Sequence, residues 1–238
     1  MIVNYTEQGW EIITQRAHGL LAAALAAQWK KKYRGPRWLE LLTAIAEHDD
    51  SRIELLQPDI LTAAGAPLDF KMKGFDLRHC EETVLMARSK STYIALLCSM
   101  HLGFVCPPDA PAQVQAFLKD QVSQREAWRR QLGITATQIR KDYSLLEWCD
   151  ALSLLLCQHE NQPEGRKVEI SKGPDGKVHQ LSQRGNELTV TPWPFEHTSF
   201  EVSYEYRVLN RLVFDQPAQF REIMLKTVPQ TRIWTLKK

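Results

Sequence analysis

The sequence predicts a mostly α protein: a helical domain over residues 1–160 and a small β-rich C-terminal extension, residues 167–238, docked on it, so that the chain is α+β overall. Three observations lead there. Apolar residues recur at three- and four-residue steps through most of the first 158 positions. The composition then breaks at Asn161-Gln-Pro-Glu-Gly-Arg166 into polar and turn-forming residues. Beyond the break, short runs alternate apolar with polar, as in Val202, Tyr204, Tyr206 and Val208.

Each predicted element follows from a local pattern. Trp10, Ile13, Ala17, Leu21, Leu25 and Trp29 lie on one face of a helix over Gln8 to Trp29, whose alanine-rich middle has high helix propensity. Arg34-Gly35-Pro36 ends it, and Pro36 opens a second helix through Leu39, Leu42 and Ile45 to about Asp49. Residues 51–75, punctuated by Pro58, Gly65, Pro67 and Gly74, read as a long irregular connection, of the kind that often carries function. Helices follow over Asp76 to Ser89, Thr92 to Phe104, Ala112 to Leu132 and Thr137 to Gln158, with Cys106-Pro-Pro-Asp-Ala-Pro111 as a breaker. In the tail, strands are expected at Lys167 to Ser171, Val178 to Ser182, Glu187 to Pro192, Phe200 to Phe214 and Thr231 to Lys237, with a short helix over Gln216 to Lys226.

Composition narrows the function classes. The 30 basic and 28 acidic residues leave a net charge of +2, with no basic stripe, so no nucleic-acid polymer is expected as a partner. The longest apolar stretch, Leu20 to Ala27, is far short of the about 20 residues of a membrane span. No basic run precedes an apolar core at the N-terminus, so the expected location is cytoplasmic and no membrane partner is expected. The five cysteines form no CxxC pair and are expected as reduced thiols packed like small hydrophobes. There is no Gly-rich phosphate loop and no GxSxG elbow.

The polar residues on inward faces are the chemical signal. His18 lies on the apolar stripe of the first helix, His48 and Asp49 border the buried face at the end of the second, and His101 continues the Tyr93 and Leu97 stripe at four-residue steps. Asp150 falls mid-helix between Cys149 and Leu152 on an otherwise apolar face, where a carboxylate is costly unless paired, hydrogen-bonded or bound to a metal. Imidazoles and carboxylates converging from facing helices form a mixed nitrogen and oxygen ligand set suited to a divalent Mn, Fe, Co, Mg or Zn carrying a reactive water. Asp50 reads as a solvated helix-end charge, and His159, His179 and His197 as surface residues.

His18, His48-Asp49 and Asp150 resemble the H…HD…D signature of the HD-domain superfamily, helical metal-dependent phosphohydrolases in most cases, over roughly residues 8 to 158. More closely, Ala46-Glu-His-Asp-Asp50, Leu97-Cys-Ser-Met-His-Leu102, Cys149-Asp-Ala-Leu-Ser-Leu-Leu-Leu-Cys157 and Thr191-Pro-Trp-Pro-Phe195 resemble the domain-of-unknown-function family numbered 3891. The resemblance implies an HD-like helical bundle. It carries His18, His48, Asp49 and Asp150 over as metal ligands and places His79 and His101 in the order of two-metal HD proteins, as ligands of a possible second metal. It departs from the relatives' pattern where Ser51-Arg52 follows His-Asp-Asp in place of Gly-Trp, which implies a different substrate pocket.

The expected function is metal-dependent hydrolysis of a small phosphoester or nucleotide, with Asp49 and His101 as catalytic residues and a small phosphorylated molecule as partner. Arg16, Arg52, Lys71, Lys73 and Arg78 are the cations within reach of such an anion. Two alternatives stay open on the sequence: a di-iron HD-type oxygenase using His18, His48, Asp49, His79, His101 and Asp150, and a non-enzymatic metal- or ligand-binding regulatory module with Trp193-Pro194-Phe195 as a lid or partner surface.

Overall fold

Residues 2–13 form a hairpin and not the beginning of a helix. In the computed structural model, which describes residues 1–238, β1 (Ile2–Thr6) and β2 (Gly9–Ile13) pair antiparallel from Ile2↔Ile13 to Thr6↔Gly9. The helix expected from Gln8 rested on Trp10 and Ile13, three residues apart. That stretch satisfies a helical or an extended pattern, and a strand partner decides the matter. β6 (Ser199–Leu209) takes up β2 in the register Trp10↔Leu209 to Ile12↔Arg207. Gly9 permits the junction: its φ is +119°, and a Cβ there would stand 2.1 Å from the Leu209 carbonyl oxygen.

The first helix, α1 (Gln15–Ala27), therefore begins one residue after Thr14, whose hydroxyl accepts from the Ala17 N–H as N-cap. α2 (Trp38–Ala46), α3 (Leu77–Lys90), α4 (Thr92–Val105), α5 (Ala112–Gln131) and α6 (Ala136–Cys157) fall close to the expected positions. Side chains cap three of them: Asp76 accepts from His79 N–H, Ser91 from Ile94 N–H and Thr135 from Gln138 N–H. The 51–75 connection carries only two 3-10 turns, Glu54–Leu56 and Phe70–Met72.

The remaining strands are β3 (Lys167–Lys172), β4 (Val178–Arg184), β5 (Glu187–Thr191) and β7 (Gln230–Lys237), with α7 (Pro217–Lys226) before the last. They join the N-terminal hairpin in one seven-stranded sheet of order β1-β2-β6-β7-β5-β4-β3, antiparallel except at β5 and β7. This corrects the expected fold class. Helices account for 47% of the chain, and the mixed sheet curls into a half-barrel, so the fold is α+β and not a mostly helical HD-like bundle with a small β extension. The physical reason lies in β1 and β2: by joining β6 they enlarge the C-terminal strands into a sheet broad enough to cover the helical layer.

One apolar core of 39 buried residues runs through both layers, from Leu21, Leu25 and Trp29 of α1 and Leu146 and Trp148 of α6 to Leu181, Val190, Val202 and Leu236 of the sheet. Phe195 is buried against Trp29 and Trp148, so the Trp193-Pro194-Phe195 segment contributes to packing and is no lid. His179, expected at the surface, is fully buried between the same two tryptophans. Four of the five cysteines are buried, Cys106 is half-buried, and all are free thiols.

Candidate metal centre

Four elements meet at the predicted residues. α1 and α2 approach so closely that a Cβ on Gly19 would stand 2.2 Å from the Ala46 carbonyl oxygen, and this contact sets His18 beside the turn that follows α2. His48 and Asp49 occupy that turn, which Lys90 at the end of α3 secures through a 2.8 Å ion pair to Glu47. α6 supplies Asp150 and α4 supplies His101. His18, His48 and His101 are 2% exposed or less and Asp150 is 7%, whereas the Asp49 side chain, 31% exposed, faces a cleft.

The tautomers of two histidines follow from their hydrogen bonds. His48 Nδ1 lies 2.8 Å from the Ile45 carbonyl, which can only accept, so Nδ1 carries a proton. The Ser153 hydroxyl gives its proton to the Asp150 carbonyl at 2.8 Å, so it must accept from His18 Nδ1, also 2.8 Å away. Nε2 is thereby the nitrogen that each ring turns toward the carboxylates, and both point inward. His18 Nε2 lies 3.0 Å and His48 Nε2 3.2 Å from Asp150 Oδ1, while His48 Nε2 lies 3.5 Å from Asp49 Oδ2. These are close approaches without hydrogen-bond direction: each Nε2 is buried and has no hydrogen-bond partner.

Such a set fits a cation. Ligand atoms at 3.0, 3.2 and 3.5 Å from one another subtend roughly 90–115° at an ion about 2.1 Å from each. Two triads meet the distance requirement, His18–His48–Asp49 and His48–His101–Asp150, each with ligand atoms within 4.8 Å of one another. No lysine or arginine pairs with Asp150 or Asp49. Their charge is met by imidazoles alone: burial would lower the His48 pKa, but Asp49 and Asp150 outweigh it and raise it to about 10. Burial opposes ionisation of Asp150 in turn, yet His48, His18 and His101 hold its carboxyl well below the usual range. A group of two carboxylates that forces a proton onto a buried imidazole is one in which a divalent ion can replace that proton.

His101 stands at the open side, with Nε2 3.9 Å from Asp150 Oδ2 and 4.0 Å from Asp49 Oδ1, and Nδ1 3.5 Å from the Tyr143 hydroxyl. Burial, then the charge on His48, lower its pKa. His79 is not part of the cluster. Its Nδ1 bonds Ser51 Oγ at 2.8 Å; burial lowers its pKa, and Arg52 and Lys73 add to that against the pull of Asp49 and Asp76. Asp50 is held by Arg16 at 2.6 Å, away from the ligand set.

Three contributors escape the sequence reading. Ser153 fixes the His18 tautomer, Gln15 donates through Nε2 to Asp49 Oδ2 at 3.2 Å, and Ser51 holds His79. Helical spacing carried a signal for two of them, since Ser153 is one turn from Asp150 and Gln15 one turn before His18.

The cluster forms the floor of a cleft of about 940 Å³, walled by the 51–76 connection and by residues 105–111. His48, Asp49, His101 and Asp150 line it, and His18 lies behind them. No helix is long and apolar enough to cross a membrane. The sequence model of the family described as "Protein of unknown function (DUF3891)" matches residues 1–211. No curated protein and no solved structure matches the chain.

Proposed function

The chain belongs to the DUF3891 family, and we propose that its His/Asp cluster holds one divalent transition metal at the floor of a hydrolytic site for a small phosphorylated molecule, a phosphoester or nucleotide. The observation that carries the reading is the pair of buried Nε2 atoms of His18 and His48, neither with a directed hydrogen bond and both against Asp150 Oδ1. Their Nδ1 protons are committed to Ser153 and Ile45, so each ring is fixed in the tautomer that coordinates through Nε2. The order of these ligands along the chain resembles that of HD-type metal sites, on a fold that differs.

A bound divalent ion would supply a water acidified enough to attack at neutral pH and would polarise a phosphoryl oxygen. The protein's own groups do the rest. Asp49, the most exposed of the carboxylates, has Oδ2 held by Gln15 and can take a hydrogen bond from a nucleophilic water at the cleft face. His101, kept neutral by burial and by His48, offers Nε2 as a proton acceptor or donor on the open side. The position of His79 outside the cluster favours one metal over two. The test is elemental analysis of purified wild type beside Asp150→Ala, followed by a phosphatase and nucleotide screen with Mn, Co, Ni, Mg and Zn. Stoichiometric metal and turnover, both lost in the variant, support the reading, and a metal-free wild type that binds none on addition refutes it.

A further inference from the structure

One wall of the cleft gathers donors that the metal cluster does not use. Arg52 is anchored through Nε to Glu82, but its Nη2 is buried and has no hydrogen-bond partner. Asp76 Oδ1, at 3.8 Å, is beyond hydrogen-bond reach and already caps α3. Lys73, from the end of the second 3-10 turn, lines the same cleft and forms no ion pair. Arg52, Lys73 and His79 all line this cleft. His79 bonds Ser51 through Nδ1, and its other ring nitrogen has no protein partner. When the Ser51 hydroxyl donates to Nδ1, Nε2 carries the proton and becomes a further donor into the cleft. The other cleft cations are committed, Arg16 to Asp50 at 2.6 Å and Lys71 to Glu160 at 3.3 Å.

We propose that Arg52, Lys73 and His79, the last oriented by Ser51, form an anion-binding corner that takes a tetrahedral oxyanion of the substrate, a phosphate group other than the one processed at the His/Asp cluster. The second half of this statement rests on the hydrolase reading; the corner itself does not. Donors line the cleft from three separate elements, the turn after α2, the 3-10 turn and α3; a planar carboxylate would be satisfied by the guanidinium alone. The carboxylates facing it are Glu82, engaged by Arg52 and Arg78, Asp76, engaged as a helix cap, and Asp49, one of the cluster's ligands. The substrate class that follows is a small molecule with at least two phosphate groups.

Isothermal titration of the full chain with inorganic phosphate, after chelator treatment and dialysis, tests the corner apart from any metal. Wild type is expected to bind one phosphate per chain, and acetate at least about tenfold more weakly. Lys73→Gln and Arg52→Gln should each weaken phosphate binding about tenfold or more, as loss of a charged hydrogen bond implies. Lys73 is exposed and without an ion pair, so its variant keeps the test valid should Arg52→Gln fail to fold. Absence of phosphate binding, binding that both variants leave within twofold, or equal binding of acetate overturns the proposal. A chain that binds phosphate in this way but takes up no metal upholds the corner and overturns the hydrolase reading alone.

Discussion

Ser153→Ala separates a metal ligand from a buried histidine of merely structural role. Ser153 Oγ accepts the Nδ1 proton of His18 at 2.8 Å in a site where both residues are fully buried. In the metal-free variant His18 can move its proton to Nε2, 3.0 Å from Asp150 Oδ1, and leave Nδ1 as a bare acceptor. With metal bound that escape is closed, because Nε2 must keep its lone pair for the ion and the Nδ1 proton faces no acceptor. An unmet buried donor costs about 1–3 kcal/mol. Loss of such an orienting partner weakens metal affinity about 10–100-fold, or about 1.4–2.7 kcal/mol, which agrees. The cost therefore falls on the metal-bound state. Chelator competition should show the affinity loss, while thermal melts of the metal-free variant should move by less than about 4 °C, the shift that about 1 kcal/mol produces in a chain of this size. Unchanged affinity together with equal destabilisation of metal-free and metal-loaded protein would refute the tautomer argument.

Metal affinity should fall about tenfold for each pH unit of acidification below the His48 pKa of about 10, because the ion displaces that proton; competition titrations at several pH values would show a flat profile if no proton is released. The same raised pKa makes the metal-free protein lose stability as pH climbs from about 6.5 through about 10, since His48 is charged in the fold and neutral in the unfolded chain there, and metal loading should remove this alkaline loss in denaturant melts. Glu11 has the opposite sign. Burial would raise its pKa, but the His159 hydrogen bond at 2.6 Å, with Arg232 at 2.8 Å, depresses it, so its contribution is present above the ordinary carboxylate pKa and disappears as pH falls through the folded value. Glu11→Gln should cost about 1–3 kcal/mol at neutral pH and much less in acid, and a loss that is equal at both pH values would contradict this. Gly19→Ala should cost about 1–3 kcal/mol by overpacking against the Ala46 carbonyl, and metal affinity should fall with it as His18 is moved from His48.

The clustering of His18, His48, Asp49, His101 and Asp150 was more legible in the sequence than the fold, and the reason is the range over which each signal acts. His18, His101 and Asp150 announce themselves by breaking an apolar helical face, a local pattern that survives an error in the fold around it. The hairpin of β1 and β2 gives no such local signal. Trp10, Ile12 and Ile13 are compatible with helix or strand, and the choice belongs to β6, nearly two hundred residues downstream. His79 shows the reverse failure: its place in the chain order of histidines suggested a ligand, but order along the chain says nothing of where a ring points, and Ser51 fixes it outside the cluster.

The misread strand also accounts for how the site is held. Ile13 ends β2 in register with Ile2, and Thr14 caps α1 directly after it, so the sheet sets where the helix starts. His18 then follows one turn after Thr14, with its backbone N–H bonded to the Thr14 carbonyl at 3.1 Å. One additional residue between Ile13 and Thr14 would rotate His18 by about 100° around α1, a single helical step, and carry its ring away from Asp150. The same insertion leaves the α1 core face out of phase with α6, so the sheet edge, the helix register and the ligand set depend on one junction. This is why the hairpin belongs to the His/Asp cluster as much as to the fold.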